Sequence, residues 1–146
     1  MSVSNGLPKF TGFIRRLVED GRMTAENMQQ AMLSAKKAQQ DIVPYLIENY
    51  KLSPQMIAET ISLEFGEPVF DLSVYDSVQI LRDLVEDKLI TKHRVLPIYR
   101  RGNILYIATS NPTNMDAMDA IRFNSKMNIE AIIVEYPQLE LSLIHI

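Results

Sequence analysis

The stretch Ile14-Arg-Arg-Leu-Val-Glu-Asp-Gly-Arg-Met-Thr-Ala-Glu-Asn-Met28 returns, with substitutions, as Val43-Pro-Tyr-Leu-Ile-Glu-Asn-Tyr-Lys-Leu-Ser-Pro-Gln-Met-Ile57. The offset is about 29 residues, within the range of periods that duplicated supersecondary units show. The alignment matches apolar, acidic, basic and helix-capping positions together, which chance rarely does. The equivalent pairs are Leu17/Leu46, Val18/Ile47, Glu19/Glu48, Arg22/Lys51, Met23/Leu52 and Thr24/Ser53. The sequence therefore predicts a duplicated helix–turn–helix unit.

Start and stop signals divide each copy into two helices. In the first copy, Gly21 ends a helix that begins near Phe10, and Thr24 caps the next one. In the second copy, Ser53 repeats the cap and Pro54 takes the first helical position. We expect the second helix of the first copy to bury Met28, Ala31, Met32, Ala35 and Ala38. We expect the second helix of the second copy to bury Met56, Ile57, Ile61, Leu63 and Phe65 and to end at Gly66.

The pattern changes after Gly66 to short extended segments that alternate with helices. We predict strands over 68–72, 95–99, 104–108 and 129–134, and helices within 79–93 and over 115–124, with a last helical turn opening at Pro137. Gly102-Asn103 suits a two-residue hairpin turn. Pro97 cannot donate to a ladder and so predicts either an edge strand or a strand whose proline lies on an unpaired side. The order β-α-β-β-α-β is typical of a small α/β sandwich, and the fold class expected for the whole chain is α+β.

These patterns predict four segments. Residues 1–9 read as a flexible leader, residues 10–66 as the duplicated helical subdomain, and residues 67–140 as the α/β subdomain. The last segment, Leu141-Ser-Leu-Ile-His-Ile146, matches one reading frame of a transposase adaptor used in DNA library preparation. We therefore expect residues 141–146 to be a non-native tail on a truncated gene fragment.

Composition excludes several classes of function. The 146 residues include no cysteine, so disulfides and thiolate metal sites are excluded. None of the five glycines precedes a lysine, so the chain contains no Walker A motif and is expected not to be an enzyme. Only two histidines are present, too few for a histidine-based metal site. A net charge of −3 argues against nucleic acid as the main partner.

Charged residues offer one cluster of interest. The basic set contains Lys88, Lys92, His93, Arg94, Arg100 and Arg101. It is either a solvated helix end and hairpin rim or a docking surface for an acidic partner or a neighbouring domain, in which Arg94, Arg100 and Arg101 would take part. The acidic pairs Glu19/Asp20, Glu86/Asp87 and Asp116/Asp119 are interpreted as surface residues rather than acid–base catalysts.

Three segments carry a resemblance to a known family. They are the duplicated unit, Glu64-Phe-Gly-Glu-Pro-Val-Phe-Asp-Leu72, and His93-Arg-Val-Leu-Pro-Ile-Tyr-Arg-Arg-Gly-Asn103, followed by Ile107-Ala-Thr-Ser-Asn-Pro112 and its helix. Over residues 10–140 the chain resembles the N-terminal domain of secretion ATPases of the type II secretion and type IV pilus class. The resemblance is greatest to pilus assembly (PilB-like) ATPases.

The resemblance implies a role as well as a fold. The parent protein would be a homohexameric ATPase, cytoplasmic and peripheral at the bacterial inner membrane through its partners. ATP and magnesium would bind only in a downstream domain, so no cofactor is expected here. The N-terminal domain would act as a non-catalytic regulatory or docking module for a PilZ-type adaptor or pilus platform proteins. An alternative is the equivalent docking domain of a type II secretion ATPase.

A second alternative is that the domain senses cyclic di-GMP, because some relatives bind it through a duplicated Arg-Leu-Gly motif with a trailing Gln. Here the motif arginines fall on Gly12 and Asp41, its glycines on Ile14 and Val43, and the glutamines on Ala35 and Glu64. Loss of both arginines and gain of two acids disfavour a ligand with two phosphates. The resemblance therefore favours protein docking. We expect Phe10, Phe13, Arg15 and Arg16 to form an exposed partner-binding surface on the first helix.

Overall fold

A computed structural model of the chain describes residues 10–74 and 83–144. These residues form two compact units that divide between Gly66 and Glu67. The first unit is helical, and the second contains the sheet. Within the two described ranges, no helix has the length and apolar character needed to cross a membrane.

The first unit contains the four helices that the repeat predicts. They are α1 (Gly12–Glu19), α2 (Ala25–Lys37), α3 (Ile42–Tyr50) and α4 (Pro54–Phe65). Helix α1 packs chiefly on α4, and α2 packs chiefly on α3. The first helix of each copy therefore contacts the second helix of the other copy. This reciprocal packing buries the apolar faces of the two copies against each other.

The predicted helix signals act as expected. The Thr24 hydroxyl accepts a hydrogen bond from the Asn27 amide at 3.1 Å, and the equivalent Ser53 hydroxyl accepts one from the Met56 amide at 3.2 Å. Each bond satisfies one amide that lacks a partner inside the helix. Gly66 follows α4 with a φ of +70°, in the left-handed region where a residue without Cβ has no steric penalty.

Some expected core residues of this unit are exposed instead. Met28, Ala31 and Ala35 are buried on α2, but Met32 is exposed and Ala38 lies beyond the end of the helix. On α4, Ile57 and Ile61 are buried as predicted, whereas Leu63 is 69% exposed and Phe65 43%. Leu63 is two positions from Ile61 and so points to the opposite side of the helix. Phe65 is the last helical residue, where the apolar stripe runs past the packed region.

The second unit contains three strands and three helices among its described residues. After a 3-10 turn at Leu72–Val74, they are α5 (Asp87–His93), β1 (Leu96–Arg101), β2 (Ile104–Thr109), α6 (Met115–Ser125), β3 (Asn128–Ile133) and α7 (Tyr136–Ile144). The strand order is β1-β2-β3, with β1 antiparallel and β3 parallel to β2. Helix α6 connects the two parallel strands, as a crossover requires.

The hairpin and edge predictions are confirmed. Gly102, with a φ of +60°, and Asn103 form the turn between Arg101 and Ile104. Among the residues that the structure describes, strand β1 pairs only with β2, so Pro97 lies on an edge strand. The register shifts between Pro97 and Tyr99. A register shift of this kind accommodates a residue that cannot donate to the ladder.

The α+β class is confirmed, but the first predicted strand is not a strand. Over 68–72, Val69 forms only an isolated parallel bridge with Ile133. Pro68 limits the backbone donors that this short segment can offer. The predicted helix within 79–93 is observed as α5 from Asp87, and positions 79–82 lie outside the described residues. Helix α7 continues past Glu140 into the segment that we expect to be non-native, and that expectation stays a prediction.

Candidate docking surfaces

Phe13 does not belong to an exposed surface. Its side chain is 2% exposed, inside the first unit beside the fully buried Leu17. The two residues are four positions apart on α1 and so share the face that packs on α4. The expectation that Phe13 is exposed is wrong, because an aromatic ring on the apolar stripe of a short helix is needed for the core.

The two arginines of α1 differ in their surroundings. The Arg16 Nε donates to Glu64 Oε1 on α4 at 2.6 Å, and both side chains are partly buried. Arg15 is 48% exposed and forms a looser ion pair with Glu19 at 3.4 Å, one helical turn away. Phe10 lies before the helix and is half-buried. Arg15 and part of Phe10 therefore remain open to a partner, while Arg16 serves chiefly to join α1 to α4.

The expected basic cluster is divided between the two ends of β1. Arg94 precedes the strand and pairs with Glu140 of α7 at 3.2 Å, whereas Arg100 and Arg101 end it. A strand rises about 3.3 Å per residue, so the four steps from Leu96 to Arg100 alone span roughly 13 Å. The structure therefore does not bring the three arginines into one site.

The other candidate chemistry also lies at the surface. His93 is the last residue of α5. Partial burial lowers the pKa of its imidazole below the usual value, and the nearby charge of Lys92 lowers this pKa further. The carboxylate of Asp116 opposes these effects in part. The acidic pairs are exposed, and Asp119 and Glu86 pair with Arg122 and Lys88. Within residues 10–74 and 83–144, no three His, Asp or Glu side chains are grouped so that they could hold a metal ion.

Sequence reasoning missed an aromatic pair on the sheet. Tyr99 of β1 and Tyr106 of β2 are register partners, and their ring centroids are 5.6 Å apart. The sequence contained the information to predict this pair. A two-residue turn at Gly102-Asn103 pairs Arg101 with Ile104. Two residues further from the turn on each strand, it pairs Tyr99 with Tyr106. The tyrosines lie on the sheet of the second unit, whereas the expected partner surface belongs to α1 of the first unit.

Similarity to known proteins agrees with the fold. The MshEN domain family matches residues 65–145. The Type IV pilus assembly ATPase PilB of Acinetobacter baylyi is 61% identical over 140 residues, which are 96% of this chain and 24% of that protein. The PilB protein of Pseudomonas aeruginosa is 31% identical over 135 residues, 92% of this chain and 24% of that protein. The chain thus spans about a quarter of the length of these curated relatives.

Solved structures show the same fold. The structure of MshE with cdg matches with a TM-score of 0.64 and 24% identity, and covers 93% of this chain and 99% of that chain. The N-terminal domain of XpsE matches with a TM-score of 0.68 and 14% identity, and covers 94% of this chain and 97% of that chain. The chain belongs to the MshEN domain family and is homologous to the N-terminal region of the pilus assembly ATPase PilB.

Proposed function

We propose that this chain is a non-catalytic docking domain of a type IV pilus assembly ATPase, and that it binds a PilZ-type adaptor or a pilus platform protein. The observation that carries the proposal is the 61% identity to a PilB protein over nearly the whole chain. The parent would be a homohexamer, cytoplasmic and held at the inner membrane by its partners. ATP and magnesium would bind it outside these residues, which contain no Walker A motif.

The open part of α1 supports a role in protein contact. Arg15 offers an exposed guanidinium whose ion pair with Glu19, at 3.4 Å, is the weak kind that a partner can replace. Phe10 offers a half-buried aromatic ring five residues earlier, just before α1 begins. Arginine and aromatic side chains are enriched at protein interfaces, where they combine apolar contact with directed hydrogen bonds. We therefore keep Phe10 and Arg15 as the contact residues and assign Arg16 to the support of α1.

Co-purification of the 146-residue chain with the PilZ-type protein of the same genome tests this proposal. We expect an Arg15→Glu variant to recover less adaptor, with binding weakened by about tenfold, because the reversed charge repels the acidic group that would replace Glu19. The matched control is Arg22→Glu, which makes the same charge change at an exposed residue of the same unit. Phe13→Ala is unsuitable, because it would create a cavity in the core. Equal recovery of the adaptor with both variants would exclude α1 as the contact surface.

A second candidate function is binding of cyclic di-GMP, favoured by the likeness in fold to MshE with cdg. The side chains at the motif positions oppose it. Asp41 stands at one arginine position and caps α3 by accepting from the Val43 amide at 3.0 Å. Glu64, at one glutamine position, is engaged by Arg16. We expect calorimetry with cyclic di-GMP to detect no binding, and low-micromolar affinity would overturn this judgement.

The third candidate is the equivalent domain of a type II secretion ATPase, for which a cytoplasmic domain of a membrane platform protein would be the partner. The fold is shared with the N-terminal domain of XpsE, at 14% identity. The higher identity to PilB proteins favours the pilus system. The neighbouring genes distinguish the two, since pilus genes beside this one would support our proposal and type II secretion genes would contradict it.

A further inference from the structure

One face of the sheet is open at its hairpin end. Tyr99, Tyr106 and Glu130 are register partners in one row across the three strands, and Arg101, Ile104 and Asn128 form the next row. Side chains two residues apart point to the same side of a strand, so both rows lie on one face. The opposite face carries Leu105 and Ile107, which are fully buried. We call the six residues of the two rows the hairpin face.

The tyrosine pair gives this face a preformed aromatic surface. The two rings are tilted by 41° with their centroids 5.6 Å apart, a normal packing geometry for an aromatic pair. Tyr99 is 52% exposed although its ring packs against Tyr106. An aromatic side chain that already packs on a neighbour loses less conformational freedom when a partner binds to its exposed half. The pair is therefore suited to recognition.

Unpaired charges of opposite sign flank the two tyrosines. Arg101 lies one row from Tyr99, and Glu130 lies beside Tyr106 in register. Both side chains are exposed, and over the described ranges neither has an ion-pair partner. Most other described arginines do have one. A free guanidinium next to an exposed aromatic pair complements a carboxylate beside an apolar group.

The edge of β1 is poorly suited to the addition of another strand. Pro97 offers no backbone donor, and the register shift between Pro97 and Tyr99 interrupts the regular spacing of the strand. Natural sheets use such features to prevent pairing at an edge. A partner would therefore contact the side chains of the hairpin face rather than extend the sheet.

We propose that the hairpin face binds a short protein segment that places an aromatic or apolar side chain on Tyr99 and Tyr106 and a carboxylate on Arg101. The proposal rests on the docking function proposed above and gives it a second surface, on the second unit. Specific protein interfaces typically use roughly 20–30 residues per partner. Six residues are too few for a stable contact between two copies of the chain, but they suit a short segment that binds transiently.

A single-stranded nucleic acid could also stack on tyrosines, but the charges here oppose it. Glu130 lies in the same row as the tyrosines, and the chain has a net charge of −3. A nucleic-acid strand whose bases stacked on both rings would bring its phosphates near the Glu130 carboxylate, which would repel them. The attraction to Arg101 alone would have to offset this repulsion. The observations therefore favour a protein segment.

Selection of peptides on the immobilised 146-residue chain tests the proposal. A phage-displayed library of random linear peptides supplies the probe, and calorimetry measures the selected peptide against single variants. We expect the peptides to combine aromatic or apolar residues with Asp or Glu. Tyr99→Ala and Arg101→Glu should each weaken binding by about tenfold or more. Exchange of the peptide carboxylate for Lys should restore binding to Arg101→Glu.

Two control variants match these changes. Arg22→Glu makes the same charge change in the first unit, and Phe123→Ala removes an aromatic ring that is 87% exposed on α6. Both should bind the peptide like the unchanged chain. Backbone amide NMR spectra check that each variant is folded.

Several outcomes would overturn the inference. They are a failure to select any peptide, binding that survives both hairpin-face variants, and selected peptides that carry only basic residues. Binding of a single-stranded oligonucleotide that Tyr99→Ala abolishes would assign the face to nucleic acid. A dimer that Tyr99→Ala dissociates would assign it to a second copy. If the docking function proposed above is itself wrong, a different result is expected. The adaptor would then bind neither the unchanged chain nor any variant.

Discussion

Arg15 and Arg16 are neighbours in the sequence, yet only one of them is available to a partner. Arg16 reaches Glu64 on α4 at 2.6 Å, and Arg15 stays on its own helix with Glu19 at 3.4 Å. The sequence marked both as basic residues of one surface. It could not distinguish them, because the carboxylate that engages Arg16 lies 48 residues away and is brought near only by the packing of α1 on α4.

The Arg16–Glu64 ion pair should stabilise the fold more than the Arg15–Glu19 ion pair. A double-mutant cycle with Arg16→Gln and Glu64→Gln, followed by urea unfolding, should give a coupling free energy of about 1 kcal/mol. The pair is partly buried and joins two helices, so it is less screened than an exposed pair. The same cycle on Arg15 and Glu19 should give about 0.3 kcal/mol. Equal coupling energies would contradict the structural role of Arg16.

The free energy of unfolding should depend on pH through His93. The pKa of His93 is lowered in the folded chain, so the unfolded state binds this proton more tightly and the free energy of unfolding rises with pH. Stability that is complete above about pH 6.5 should therefore fall as the pH drops below that value. Urea unfolding at about pH 7.5 and about pH 5.5 measures the loss.

The control for this prediction is His93→Gln, which should unfold at urea concentrations that depend less on pH. His145 is present in both proteins, so its contribution cancels in the comparison. The pKa of Asp71 is also lowered, chiefly by hydrogen bonds from Ser73, but a lowered carboxyl pKa acts below about pH 4, outside this window. An unchanged pH dependence in His93→Gln would show that His93 does not cause the effect.

Among the elements, the helices were more predictable than the strands. Thr24, Ser53 and Gly66 act through local geometry, so their residue types alone indicated where helices begin and end. The hairpin was equally local. Local signals could not decide the structure of the segment around Val69. An extended segment becomes a strand only if a neighbouring strand pairs with it along its length. Here Ile133 provides a single bridge to Val69.

The third prediction concerns the caps of the duplicated helices. Thr24→Ala and Ser53→Ala should each lower the free energy of unfolding by about 1 kcal/mol, because each leaves a helical amide without its acceptor. Thr11 is the matched control, since it precedes α1 but its side chain makes no capping hydrogen bond. Thermal or urea unfolding of the three variants provides the comparison. A loss for Thr11→Ala as large as for the other two would contradict the assignment of the caps.

For the whole molecule, the sequence predicted the family and the α+β class. The structure was needed to decide which side chains are exposed to a binding partner. The residues that carry the resemblance are those that form caps, turns and packing positions, and these are readable from one sequence. Exposure is a property of assembled elements, which is why Phe13 was misassigned and Tyr99 was missed. The two candidate surfaces now belong to different units, α1 in the first and the hairpin face in the second, so variants can test each separately.

The central claim is that this MshEN domain docks a protein. Calorimetric titration of the PilZ-type adaptor from the same genome into the 146-residue chain tests it most directly. We predict low-micromolar binding that Arg15→Glu weakens by about tenfold and that Arg22→Glu leaves unchanged. Absence of binding to the adaptor, with low-micromolar binding of cyclic di-GMP to the same preparation, would contradict the account.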